Sequence, residues 1–171
     1  SAFIHPLHTP AGAILTDIRP SDHLHHMGLW HAWVHCIFKG RETDFWNLKA
    51  KTGTVRFVKT LSTDKAADHA AFTVQQDHVA IDKDGSETVV LREEFAIRAT
   101  FKNSANVIDY TMKQKNVSDA PLELTAYRYG GGVALRGPRN WDKTNSDYLT
   151  SEGKTRVDSH ESRAKWGTMW G

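Results

Sequence analysis

The alternating segment at residues 88–101 is the feature that most constrains the fold of this chain. Every second side chain in its later half is apolar, and most of the side chains between them are polar. The apolar set is Phe95, Ile97, Ala99 and Phe101. A period of two residues is typical of a β-strand that turns one face toward a core and the other toward water or a second sheet. The segment therefore predicts a long amphipathic strand.

Shorter segments of similar composition flank this strand. We predict further strands at residues 13–16, 54–61, 70–75, 79–82, 107–116 and 122–129, and a strand-like run at 165–171. In the earlier strands, the side chains expected to face the core are Val55, Phe57, Phe72 and Val74. Residues 40–48 and 145–156 are predicted to be ordered loops, because they are polar and show no clear period.

Turn-forming residues separate these segments. Residues 82–86, DKDGS, form a predicted hairpin turn, because glycine accepts the positive φ that such turns need. No helical stripe of ten or more residues interrupts the pattern. We therefore predict an all-β fold, either an antiparallel β-sandwich or one large β-sheet, with the sandwich as the favoured form.

The side chains best suited to catalysis or ligand binding are concentrated in residues 21–38, SDHLHHMGLWHAWVHCIF. This stretch contains five of the ten histidines and two of the six tryptophans. Imidazole is the side chain whose ordinary pKa, about 6.5, lies closest to neutrality, and it is the commonest metal ligand. We therefore expect the functional site here.

The second half of this stretch, residues 29–38, alternates like a single strand. The apolar set on its even-numbered face is Trp30, Ala32, Val34, Cys36 and Phe38. That face is predicted to be buried, and the lone cysteine on it is most simply a small buried hydrophobe. His31 and His35 fall on the opposite face, about 13 Å apart at about 3.3 Å per residue, which is too far to share one metal ion.

The first half of the stretch is predicted to be a loop or a short extended segment between Pro20 and Gly28. If it is extended, His23 and His25 point to one side and His26 points to the other. A position on one side of the segment would then be free to meet a group from another part of the chain.

Two interpretations of this loop stay open. In the first, the loop binds a divalent metal, because a His-x-His pair is a frequent half of a metal site. The predicted ligands are Asp22, His23 and His25, with His26 in a wider set and with His5 or His8 available to complete it. In the second, the histidines belong to a surface loop and are satisfied by hydrogen bonds.

Length and composition exclude several classes of protein. With 171 residues, of which 39% are hydrophobic and 25% charged, the chain has the make-up of one soluble globular domain spanning residues 1–171. No run approaches the roughly 18 apolar residues of a membrane-spanning helix, so no membrane span is predicted. The net charge of +2 comes from 22 basic and 20 acidic residues that are well mixed, so nucleic acid is not expected as a partner.

Several blocks of the sequence, in order, resemble one bacterial family. They are HPLHTPAG, PSDHLHHMGLWHAW, DFWNL, TGTVRF, RGPRNWD, NSDYLTSEGKTR and RAKW, and they span nearly the whole chain. The family carries the label "methane oxygenase PmoA". A particulate methane monooxygenase subunit is a membrane protein, so that label does not describe the activity expected of this chain. The resemblance implies instead a β-sandwich similar to galactose mutarotase, in which histidines and a carboxylate on a concave sheet face handle a sugar.

The resemblance also implies roles for individual side chains. A small-molecule carbohydrate or polyol would bind at the histidine-bearing face, and a histidine would act as general acid or base. The predicted catalytic residues are His25, His26 and His31. The predicted substrate contacts are Trp33, Trp141, Arg139 and Glu152. No cofactor is expected beyond the divalent metal of the alternative above, and a non-catalytic sugar-binding or interaction module is a further alternative.

The last third of the chain changes in character. Glycines at 130–132 let the backbone pass close to another group, and Arg128 and Arg136 lie near them. The strand-like run at 165–171 stops in mid-pattern, which would leave an unpaired sheet edge, and members of the resembling family are longer at this end. We therefore expect the domain to continue beyond residue 171.

Overall fold

Twelve strands pair antiparallel into four sheets within residues 2–127 and 132–171, the residues that the computed structural model describes. The strands are β1 (Phe3–Ile4), β2 (Leu29–Ala32), β3 (Cys36–Phe38), β4 (Arg41–Thr43), β5 (Gly53–Lys65), β6 (His69–Ile81), β7 (Glu87–Lys102), β8 (Ala105–Asn116), β9 (Leu122–Leu124), β10 (Gly132–Leu135), β11 (Asp147–Thr150) and β12 (Gly167–Trp170). The only helical element in these residues is one 3-10 turn, Leu48–Ala50. The predicted all-β class is confirmed. None of the described segments is a helix long and apolar enough to cross a membrane.

The four longest strands form a meander in the order β5-β6-β7-β8. The predicted hairpin turn joins β6 to β7, where the Asp82 N–H donates to the Ser86 carbonyl at 2.8 Å and Gly85 has a φ of +84°. The prediction of two separate strands at 70–75 and 79–82 is wrong. Both belong to β6, because its pairing with β7 resumes after a register shift between His78 and Val79.

The other strands form three small sheets, ordered β1-β2-β10, β4-β3-β9 and β11-β12. The prediction of one strand at 29–38 is wrong, because its two ends join different sheets as β2 and β3. The chain bends between them, where the Trp33 carbonyl accepts a hydrogen bond from the Phe45 N–H at 3.0 Å. Burial of the even-numbered face is confirmed for Trp30, Ala32, Cys36 and Phe38.

Pairing with other strands also changes the predicted loops. Residues 40–48 and 145–156 contain β4 and β11, which form because β3 and β12 supply hydrogen-bonding partners for polar sequence. Residues 13–16 contribute only an isolated bridge between Ile14 and His8. The strand-like run at 165–171 is confirmed as β12. Arg128 and the first two glycines of the run at 130–132 lie outside the described residues.

Two buried clusters pack the small sheets against one face of the meander. The first joins the β3 residues Cys36 and Phe38 to Val90 of β7. The second contains Val74, Phe95 and Ile97, with Ala2 and Ile4 packed against it. This layering is sandwich-like, and it covers only part of the large sheet.

The uncovered part of the sheet explains two incorrect predictions. Phe57 and Phe72 are predicted to face the core, but they are 64% and 37% exposed. Neither belongs to a buried cluster, and Phe57 lies next to a register shift in the β5–β6 pairing. Alternation identifies the face of a strand, whereas the extent of the opposing layer decides which residues on that face are buried.

Candidate functional site

A cavity of about 500 Å³ lies beside residues 21–28, which we call the histidine-rich loop. Its walls come from that loop, from β2, from the segment after β4 and from the start of β5. The aromatic residues that line it are Phe3, Trp30, Phe45 and Trp46. The lining residues that can form hydrogen bonds include Arg19, Asp22, His25, His31, Asn47 and Lys49.

Backbone hydrogen bonds close the histidine-rich loop into a tight turn. The His26 N–H donates to the His23 carbonyl at 3.0 Å, and the Arg19 N–H donates to the His26 carbonyl at 2.8 Å. Gly28 ends the loop with a φ of +67°, and its N–H donates to the Asp17 carbonyl at 3.0 Å. The loop prediction is confirmed, and the extended alternative does not occur.

The turn stacks the imidazole rings against two tryptophans. The rings of His23 and His26 are stacked with centroids 4.5 Å apart. His26 in turn lies nearly parallel to Trp46, at 5.8 Å and 7°, and 5.2 Å from Trp30. His26 is therefore packed between rings and is absent from the cavity lining, whereas His25 belongs to it.

His25 and Trp46 hold each other in place. Their rings meet edge to face, with centroids 4.5 Å apart and planes at 89°. The Trp46 Nε1–H also donates to the His25 carbonyl at 3.0 Å. Because Trp46 and His25 contact each other in this way, both side chains have limited rotamer freedom before a ligand binds.

His25 and His26 both favour their neutral forms. Burial, together with the neighbouring His23, His25 and Arg136, lowers the pKa of His26 to about 4, and burial is the largest cause. The Arg136 Nη1 lies 3.5 Å from His26 Nδ1, so that nitrogen faces a donor and must present its lone pair. Burial is also the main reason that the pKa of His25 lies below its ordinary value. A neutral imidazole at neutral pH can accept a proton from a bound ligand.

At about pH 5.5, we expect His26 to be neutral and His69 to be protonated. The pKa of His26 is lowered to about 4, mainly by burial, whereas the hydrogen bonds that His69 donates to Asp64 and Asp68 raise the pKa of His69. In the unfolded chain, His26 takes up a proton near its ordinary pKa of about 6.5. Its contribution to the free energy of unfolding is therefore fully present above about pH 6.5 and is lost as the pH falls toward 4. An NMR titration of the imidazole resonances measures both residues in one sample. Titration of His26 at or above the midpoint of His69 would contradict the packing of His26 against Trp30 and Trp46.

His31 lies at the boundary between the cavity and the interior. Its side chain is 8% exposed, and it lines both the large cavity and a void of about 10 Å³ behind it. Burial lowers the pKa of His31, and the Glu93 carboxylate acts in the opposite direction. His35 lies elsewhere, hydrogen-bonded to Thr125 and stacked on Tyr127 at 5.4 Å.

The predicted substrate contacts do not line this cavity. The Trp33 Nε1–H donates to Gln114 Oε1 at 3.0 Å, and its ring packs edge to face on His31. Arg139 forms an ion pair with Asp17, with Nε and Oδ2 3.1 Å apart. The two remaining predicted contacts are also absent from the lining. Trp141 packs close to Gly137 and Gly171, and Glu152 is exposed and accepts a hydrogen bond from Ser151.

The predicted metal ligands are only partly brought together. Asp22 Oδ2 lies 2.8 Å from His23 Nδ1, which is an ion-pair contact between two of them. His5 and His8 hydrogen-bond instead with Thr16 Oγ1 and the Gly12 carbonyl. Among the described residues, no group of three or more His, Cys, Asp or Glu side chains is placed to hold a metal ion.

Two features of the site were missed by sequence reasoning. Arg136 approaches both His26 and Asp22, at 3.5 and 3.6 Å, because β10 pairs with β2 and brings this residue beside the loop. Glu93 is buried behind His31. A usable signal existed for Glu93, since it has the same parity as Phe95 in an alternating strand and so places a charged side chain on the apolar face.

Fold and cavity together define an all-β protein with a histidine- and tryptophan-lined cavity beside its largest sheet. The family described as a family of unknown function, DUF6807, matches residues 1–171. The chain therefore belongs to the DUF6807 family. No curated protein and no solved structure matches it.

Proposed function

We propose that this protein binds a small carbohydrate or related polyol in the cavity lined by His25, His31 and Trp46. The observation that carries the proposal is the combination of aromatic walls with convergent polar groups around about 500 Å³. Pockets for small molecules typically have about 300 to 1,000 Å³ and combine apolar surface with a few placed polar groups. A sugar ring matches this chemistry, because its C–H face packs on an aromatic ring while its hydroxyls form hydrogen bonds.

The neutral state of His25 supports acid–base chemistry on the bound ligand. Its imidazole belongs to the cavity lining, and its burial favours the form that can take up a proton. His31 supplies a second imidazole on the same cavity. We propose that His25 acts as general base or acid and that His31 orients the ligand. His26 supports the site by packing against Trp30 and Trp46.

The resemblance of several sequence blocks to the family labelled "methane oxygenase PmoA" also supports this proposal, because that resemblance implies a mutarotase-like fold that handles a sugar at a histidine-bearing face. The predicted contacts Trp33, Trp141, Arg139 and Glu152 do not enter this proposal, because other residues line the cavity.

A panel of monosaccharides, polyols and uronic acids, screened by thermal shift and then by calorimetry, tests the proposal. Binding to the native state raises Tm in a concentration-dependent way. Trp46→Ala is expected to weaken binding about tenfold or more, about 1.4 kcal/mol, because it removes the aromatic wall. Trp166→Ala is the matched control, because Trp166 is 56% exposed and is not among the cavity-lining residues.

The same panel distinguishes the alternatives. Proton or epimer exchange of a bound sugar, followed by NMR, should disappear in His25→Ala if the protein is an enzyme, whereas a binding module loses only affinity. Elemental analysis of the purified protein tests the metal alternative directly. If no sugar or polyol raises Tm, or if one binds and Trp46→Ala leaves its affinity unchanged, the proposed function is wrong.

A further inference from the structure

We propose that Glu93 is a positioning residue for His31, acting through one ordered water in the void between them. Its relevance to ligand chemistry rests on the proposed function above. The link itself is a property of the ligand-free protein.

Glu93 is the centre of a buried polar network on the large sheet. Its side chain is 3% exposed, and three side chains donate to its carboxylate. The Gln76 Nε2–H and the His78 Nε2–H donate at 3.0 and 3.2 Å, and the Gln114 Nε2–H completes the set. Two of these donors come from β6 and one from β8, so the carboxylate on β7 is held rigidly from both neighbouring strands.

The network keeps Glu93 ionised. Burial is the largest single influence and raises the pKa of this carboxyl, but the hydrogen bonds from His78 and Gln114 and the charge interactions with His78 and His31 together lower the pKa overall. An ionised carboxylate offers about four acceptor positions. Three donors are present among the described residues, so one acceptor position is left for a further donor.

The void of about 10 Å³ has the polar walls that a water requires. His31, His78, Glu93 and Tyr110 all line it. In the part of the chain that the structure describes, His78 Nδ1 and the Tyr110 hydroxyl are buried and have no hydrogen-bonding partner. A site of about 10 to 15 Å³ with two to four polar partners holds one water, and unpartnered buried polar groups are costly.

The consequence for His31 is a defined tautomer. A water that donates to the Glu93 carboxylate can accept an N–H from His31 with its oxygen. The nitrogen facing the void then carries the proton, and the other nitrogen presents its lone pair. Such second-layer hydrogen bonds commonly decide which imidazole nitrogen is available to a ligand.

Other titratable and charged groups line the same cavity or void as His31 and can also influence its pKa. On the sheet side they are Glu93, His78 and Tyr110, and on the cavity side they include His25, Asp22, Arg19 and Lys49. A test must therefore isolate Glu93 from the rest of this set.

NMR of ¹⁵N-labelled histidine in the ligand-free protein tests the proposal. Glu93→Gln is expected to lower the His31 pKa by about one pH unit and to change its tautomer ratio, because the negative charge and the water acceptor are both lost. Glu94→Gln is the matched control: it makes the same chemical change on the adjacent, solvent-exposed residue and should leave His31 unchanged. A purely structural role for Glu93 would lower stability without moving the His31 pKa.

Tyr110→Phe is the second variant, and it decides the question if Glu93→Gln does not fold. It leaves the carboxylate and its three donors intact and removes one partner of the water, so the His31 tautomer ratio should shift in the same direction. A crystal structure should show the water between His31 and Glu93. An empty void, or an unchanged His31 titration in the folded variants, overturns the proposal. A protein that binds no sugar but shows this linkage would disprove only the proposed function.

Discussion

Replacement of Phe95 by alanine is expected to lower the free energy of unfolding by about 3 to 5 kcal/mol. Phe95 is 1% exposed and forms the centre of one of the two buried clusters. Its ring meets Tyr110 edge to face at 4.8 Å and lies 6.2 Å from Phe72. Truncation removes this apolar contact area and leaves a cavity that the surrounding strands can fill only in part.

The matched control for this substitution is Phe57→Ala. Phe57 also belongs to the large sheet, but it is 64% exposed, so its removal should change the free energy of unfolding by only about 0.5 kcal/mol. Urea unfolding followed by circular dichroism measures both variants. Equal losses in the two would show that the face of the sheet bearing Phe57 is covered in solution.

Replacement of Gly28 by alanine is expected to cost more than about 3 kcal/mol and to distort the histidine-rich loop. Gly28 has a φ of +67°, a backbone conformation that costs an L-residue about 1 to 2 kcal/mol. An added Cβ would also lie 2.3 Å from the Ile4 carbonyl oxygen and 3.0 Å from the His5 Cβ. Because Ile4 pairs with Leu29, relief of this clash must shift β1 away from β2.

Gly12→Ala separates the conformational cost of a positive φ from the steric clash of the added Cβ. Gly12 has a φ of +88°, but an added Cβ would have no neighbouring atom of the described residues within 4 Å. This variant should therefore lose only the conformational cost, about 1 to 2 kcal/mol. Thermal and urea unfolding compare the two variants, and NMR of the histidine side chains reports on the loop. If the two glycines respond equally, close approach of β1 does not constrain the loop.

The fold class was predictable because it depends on local patterns. The alternation around Phe95 and the glycine-containing turn at 82–86 both act over a few residues, and both predictions are confirmed. The division of residues 29–38 into β2 and β3 was not predictable in this way. It results from pairing with β1 and β10 at one end and with β4 and β9 at the other, and three of these partners, β1, β10 and β9, are distant in the sequence.

The site was predictable in part for the same reason. The density of histidines marked the correct loop, and His25 and His31 line the cavity as side chains from that stretch. The position of His26 depends on stacking with Trp46, twenty residues later, so its packed location could not be read from local spacing. Glu93 offered a signal in its parity, but only packing of the small sheets on the meander shows that it lies behind His31.

By itself, the amino-acid sequence determined that this chain is built from antiparallel strands and that its imidazoles concentrate in one loop. Those properties depend on residue order over short distances, where side-chain periodicity and turn chemistry act. Only the tertiary structure decided which imidazoles reach the cavity, which one is packed between rings and which carboxylate lies behind them. Those outcomes depend on β-strand pairing between distant segments and on the limited extent of the layer that covers the large sheet.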